Sequence, residues 1–121
     1  MPHLNKPHKN LDVWKKSIEL VVHLYRIVGI FPSDEKYALV SQIKRAAVSI
    51  PSNIAEGAAR NTKKEFINYL HISQGSLSEL DTQIEISIKL GFISASDFKQ
   101  IENIMIDIDK MLSGLIRSLK K

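Results

Sequence analysis

The side chains in this sequence whose types and spacing could do chemistry are cations. Lys15 and Lys16, Arg60, Lys63 and Lys64, and Arg117 stand near points where hydrophobic periodicity starts or stops. Lys and Arg gathered in this way are what a protein uses to neutralise phosphates. The net charge is +4, and its excess is local: residues 1–60 hold nine Lys and Arg against five Asp and Glu, whereas residues 61–121 hold eight of each. Helix dipoles favour cations at C-termini by ~0.3–1 kcal/mol, which accounts for Arg60, Arg117, Lys120 and Lys121 as a solvated basic face. The same dipole opposes Lys63 and Lys64 at the start of a helical segment and leaves Lys15 and Lys16 unexplained. No aromatic residue interleaves with these cations, so contact with phosphates rather than stacking on bases is the expectation.

Other chemistries lack their residues. The histidines are His3, His8, His23 and His71, with no His-Glu-x-x-His and no Glu three residues before a His, so neither zinc nor di-iron spacing is present. Without cysteine there is no disulfide, thiolate zinc site or Cys nucleophile. No glycine-rich phosphate loop occurs, and no serine stands in a nucleophile elbow. Glu56 sits among small residues in Asn53-Ile54-Ala55-Glu56-Gly57 and could serve as a base, but a carboxylate there more often pairs with a cation such as Arg45 or Arg60. The reading is of a protein with no cofactor, no metal and no enzymatic activity.

Four helices must position these residues. Trp14, Ile18, Val21, Tyr25 and Val28 recur every three or four residues and predict the buried face of the first helix, with Val13, Leu20, Leu24 and Ile27 as a second apolar register. Gly29 and Phe31-Pro32 stop it, and Ser33 with Asp34 and Glu35 reads as the N-cap of a second helix carrying Val40, Ile43, Ala47, Ile50, Ile54 and Gly57. Thr62-Lys63-Lys64-Glu65 is a capping box. It opens a third helix with Phe66, Leu70, Ser73, Leu77, Leu80 and Ile84, ended by Gly91. Ser94 and Asp97 open a fourth, striped by Phe98, Ile101, Met105, Ile108, Leu112, Leu115 and Leu119. Short connections force antiparallel neighbours.

The predicted fold is therefore all-α: an antiparallel up-down-up-down four-helix bundle over residues 11–121, following a flexible basic tail over 1–10. Pro51 falls inside the second helix, where its missing N–H and its ring predict a kink. Ile86 and Ile106 lie off the main stripes and predict a subunit interface. With 121 residues, one domain is expected. No apolar run reaches the roughly 18 residues of a membrane span, and the N-terminus lacks a signal peptide's apolar stretch, so a cytoplasmic protein away from membranes is expected.

Phe31-Pro32, Glu35, Tyr37, Leu39, Gln42-Ile43, Arg45-Ala46, Ser49-Ile50 and Asn53-Ile54-Ala55-Glu56-Gly57 resemble the signature of the four-helix-bundle proteins encoded in intervening sequences of bacterial 23S rRNA genes. Glu65-Phe66, Tyr69-Leu70, Gly75-Ser76, Glu79-Leu80, Gln83 and Leu90-Gly91-Phe92-Ile93 resemble that family's third helix, and Leu11, Val13-Trp14 and Lys16 its first. The likeness covers roughly residues 11–93 and implies a ring-shaped homopentamer, often with a basic surface. A similar accessory protein of diversity-generating retroelements partners a reverse transcriptase and nucleic acid, so RNA or DNA and a protein of that kind are the implied partners. On this reading Arg45, Asn53, Glu56 and Gly57 are structural motif residues. The expected function is a non-enzymatic oligomeric scaffold binding RNA or another nucleic acid through its basic end. The alternative is a protein–protein adaptor that binds no nucleic acid.

Overall fold

The computed structural model describes residues 4–121, so His3 and the first part of the expected tail lie outside the described residues. Four α-helices follow one another: α1 Asp12–Val28, α2 Leu39–Ala58, α3 Lys63–Lys89 and α4 Ala95–Leu119, with no strand among the described residues. Short 3-10 helices cover Pro7–Asn10 and Ser33–Glu35. The first of these packs on α1 and α2, with the His8 ring edge-on to Trp14 at 5.1 Å between centroids.

The helices form a four-cornered bundle. α1 packs on α2 and α4, and α3 packs on α2 and α4, whereas the diagonal pairs make no close backbone approach. Contacts between α2 and α3 descend in one as they ascend in the other: the Ser49 hydroxyl meets Ser76 at 2.7 Å, and the Ser73 hydroxyl donates to the Ile50 carbonyl at 3.0 Å. These two helices are antiparallel. The stripes predicted for α2, α3 and α4 line the core, with Ile43, Ile50, Ile54, Leu70, Leu80, Ile101, Ile108 and Leu112 wholly buried.

The ends follow their capping chemistry. Thr62 Oγ1 accepts from the Glu65 N–H at 3.1 Å, and Ser94 Oγ accepts from that of Asp97 at 3.1 Å. Gly91, at φ 77°, closes α3: its own N–H reaches the Ile88 carbonyl and that of Phe92 reaches Ser87, both at 2.9 Å. This Schellman geometry needs a left-handed residue, which glycine supplies without a Cβ clash.

Two expectations are corrected. On α1 the second apolar register supplies most of the core, and Ile18 and Tyr25 of the first do not reach it. Val13, Ser17, Leu20, Leu24, Ile27 and Val28 are buried, Trp14 and Val21 are half-buried, and Ile18 and Tyr25 are exposed. Ser17 can occupy the core because its hydroxyl donates to the Val13 carbonyl at 2.7 Å, which satisfies a buried polar group within its own helix. Secondly, Ser33 opens a separate 3-10 turn, and α2 starts only at Leu39 without a side-chain cap. Pro51 is buried within α2, which runs unbroken through it.

α2 and α3 approach each other closely at Gly57. A Cβ added there would lie 2.7 Å from the Tyr69 Cβ and 3.0 Å from Phe66 Cδ1, so α2 and α3 touch where one of them has no side chain. Gly57→Ala should lower stability by about 1–3 kcal/mol through overpacking, although alanine gains up to about 1 kcal/mol of helix propensity over glycine. Urea titration of both proteins measures the difference, and an unchanged or raised midpoint contradicts it.

Candidate nucleic-acid interface

The turn between α2 and α3 builds one end of the bundle. Arg60 closes α2 with its N–H on the Gly57 carbonyl at 3.1 Å, and its side chain folds back over the turn. The guanidinium Nη2 donates to Glu56 Oε1 at 2.7 Å and to the Tyr69 hydroxyl at 2.6 Å, with the guanidinium carbon 4.9 Å from the Tyr69 ring centroid. Arg60 is thus a clasp between α2 and α3. Glu56 takes Arg60 rather than Arg45, and Arg45 is exposed with no ion pair among the described residues.

Lys63 and Lys64 fill the first turn of α3, both exposed and neither in an ion pair among the described residues. The carboxylate of that turn, Glu65, accepts from the Thr62 hydroxyl at 3.2 Å and so is held by the cap. Arg117, Lys120 and Lys121 end α4, all exposed and likewise without an ion pair among the described residues. Here the unpaired N–H groups of the helix N-terminus and the two lysines present positive potential together.

Lys15 and Lys16 stand apart from that tip. Lys16 Nζ lies 3.4 Å from Glu19 and 3.7 Å from Asp107. Level with Asp107, it sits roughly 15 Å along the bundle axis from Arg117, at 1.5 Å of rise per residue. Lys15 is exposed on the same flank. The six candidate cations divide accordingly among the described residues: Lys63, Lys64 and Arg117 are unpaired at the tip, Arg60 is engaged internally, Lys16 is paired on the flank and Lys15 is free there.

Asn53 binds within α2. Its Nδ2 donates to the Ser49 carbonyl at 2.8 Å and to Ser49 Oγ at 3.0 Å, and Ser49 in turn meets Ser76 of α3. The partner is Ser49, not the Ala47 carbonyl that Pro51 leaves without its helical donor, so Asn53 and Ser49 form a polar latch onto α3. Tyr69 and Ser76 complete these contacts; the sequence marks them only through the family resemblance, because neither spacing nor composition identifies a cross-helix hydroxyl. Ile86 and Ile106 are 46% and 44% exposed. They lie on different surfaces: Ile106 borders the groove between α3 and α4, whereas Ile86 is outside it. No group of three or more His, Asp or Glu gathers among the described residues to hold a metal, and no described helix is long and apolar enough to cross a membrane.

The family profile described as 23S rRNA-intervening sequence protein matches residues 9–114. A solved structure of a protein of unknown function from the S23 ribosomal protein family of Bacteroides thetaiotaomicron VPI-5482 is similar at a TM-score of 0.80 and 27% identity, covering 87% of this chain and 95% of that one. A search of curated proteins finds no match.

The two motif polar residues should differ in energetic weight. Asn53 is half-buried and makes two hydrogen bonds, so Asn53→Ala is expected to cost about 1–2 kcal/mol. Glu56→Gln removes one partner of a largely solvated ion pair, a change of about 0.5 kcal/mol or less. Parallel urea titrations read both, and a larger loss for Glu56→Gln would reverse the assignment.

Proposed function

This chain belongs to the 23S rRNA-intervening sequence protein family, and from that premise we propose that it is a non-enzymatic, oligomeric helical scaffold that holds RNA by its phosphates at the α2–α3 end. The observation that carries this reading is the pair Lys63 and Lys64 in the first turn of α3, exposed and without carboxylate partners among the described residues. Stability alone would favour Asp or Glu in that turn. The retained lysines add their charge to the dipole's positive end, the arrangement that attracts phosphate. Arg117, Lys120 and Lys121 extend the same surface from α4. The printed names of the family and of its solved relative, which refer to rRNA and to ribosomal protein, support RNA as the nucleic acid.

The absence of catalytic activity is part of the proposal. Glu56 is exposed and accepts from Arg60, so its carboxylate is stabilised as an anion in a pair rather than set against a reacting atom. Oligomerisation is a further part, with five copies the number implied by the resemblance. It is supported by large apolar side chains left in solvent, among them Ile18, Val22, Tyr25, Val48 and Ile106. Repetition of the basic end around a ring would let weak phosphate contacts reinforce one another on one strand.

Salt dependence tests the proposal. Single-stranded RNA should bind the wild type at low salt, with affinity falling steeply as salt rises. Replacing Lys63, Lys64 and Arg117 with Gln should weaken binding and flatten the log–log salt slope by about 0.7 for each phosphate that is no longer neutralised. The control replaces Arg26, Lys36 and Lys99, three exposed cations at the other end of the bundle, and should retain the wild-type slope. Equal weakening in both triples means that net charge alone binds. No binding by the wild type at low salt refutes nucleic-acid binding and leaves the adaptor.

A further inference from the structure

α3 and α4 pack least closely of the four neighbouring helix pairs, and a groove of about 330 Å3 opens between them. Its floor is apolar: Ile84 and Met105 are buried beneath it, and Phe98 is half-buried. Ile106 stands at its border with 44% of its surface exposed. Carboxylates stand on both walls, Asp81 on α3 and Glu102 and Asp109 on α4, against one cation, Lys110. None of these four is in an ion pair among the described residues. The negative charge is also spread along the groove. Glu102 and Asp109 are seven residues apart, roughly 10 Å along the helix at 1.5 Å of rise per residue. No three acidic groups among the described residues gather closely enough to hold one ion.

We propose that this groove receives a cationic amphipathic helix of another protein. An elongated apolar trough between two helices is the receptor for a helix that lays its own apolar face into it, with anchors at i, i+3 or i+4, and i+7. The i to i+7 span of such a helix is the same roughly 10 Å that separates Glu102 from Asp109. Apolar anchors in the trough bring lysines or arginines at the flanking positions against the two walls. Their aliphatic stems then lie along the apolar rim and their charged ends on the carboxylates. Three wall carboxylates to one cation select the charge of the occupant, because an acidic helix adds like charge to walls that have no partner for it. The selection is local: the chain carries +4, so net charge alone repels a cationic segment. The groove includes none of Lys63, Lys64, Arg117, Lys120 and Lys121. A seated helix therefore leaves the phosphate surface open, and the inference stands apart from the RNA reading.

Fluorescence anisotropy with a labelled peptide of about four helical turns tests it. The probe carries leucines at i, i+3, i+4 and i+7, lysines flanking them and alanine elsewhere, and the full chain is titrated at about 0.15 M salt, where distant charges are screened. The wild type should bind this probe. It should not bind the same peptide with Glu for every Lys, nor a scramble that keeps the charge and loses the apolar face. Asp81→Asn combined with Glu102→Gln and Asp109→Asn should weaken binding about tenfold. Asp12→Asn combined with Asp34→Asn and Glu79→Gln removes as many charges outside the groove and should leave the affinity unchanged; circular dichroism confirms that both triples keep their helices. Equal binding of the scramble, or equal affinity of the two triples, overturns the proposal. No binding by the wild type also overturns it, and a fall in the mass of Ile106→Lys by light scattering then assigns the groove to a second copy.

Discussion

The absence of a side chain at Gly57 is the constraint on which the rest of the structure depends. Because nothing projects from that position, α3 closes onto α2 until Tyr69 and Phe66 occupy the space a methyl group would need. That approach brings the Tyr69 hydroxyl within 2.6 Å of Arg60, and Arg60 with Glu56 then fixes the path of the chain out of α2. The turn is left only Asn61 and Thr62 before α3 begins. Lys63 and Lys64 consequently emerge at the extreme end of the bundle. One glycine sets the helix spacing, the spacing sets the clasp, and the clasp sets where the charge stands.

The electrostatics follow from this geometry rather than from composition. A net charge of +4 on 121 residues is modest, and a uniform distribution of it would steer nothing. Concentration at one tip changes that, and so does the way the nearby anions are used: Glu56 is held by Arg60, and Glu65 by Thr62. Those two acids of the α2–α3 turn are committed to the cap and the clasp, and Lys63 and Lys64 face solvent. The opposite half of the molecule concentrates carboxylates around the α3/α4 groove.

Most of the fold is legible in the sequence because three of the four helices carry a single dominant stripe. Phe98, Ile101, Met105, Ile108 and Leu112 admit one buried face, and capping residues bracket α3 and α4. α1 misleads because it carries two apolar stripes of similar strength. The one holding Trp14, Ile18 and Tyr25 leaves Ile18 and Tyr25 in solvent and Trp14 half-buried, while the stripe that supplies most of the core contains Ser17. A serine that donates to the carbonyl four residues back behaves as a core residue, and hydropathy patterning has no means of registering that bond. The site is legible as a set of cations but not as a geometry. Arg60 reads as a helix-end cation within reach of Glu56, but its stacking and hydrogen bond with Tyr69, nine residues later, do not show in the sequence, and Lys16 reads as free until α4 brings Asp107 alongside. The Tyr69 and Asp107 contacts come from side chains on a neighbouring helix, which no local window contains.

The central claim is that the α2–α3 tip is the surface that meets nucleic acid, and lysine footprinting tests it most directly. The wild-type protein is acetylated briefly with and without saturating single-stranded RNA at low salt, and modification at each lysine is read by mass spectrometry. The account predicts strong protection of Lys63, Lys64, Lys120 and Lys121, with Lys36, Lys89 and Lys99 modified as in the free protein. Protection spread evenly over all lysines, or confined to the far end, would contradict it.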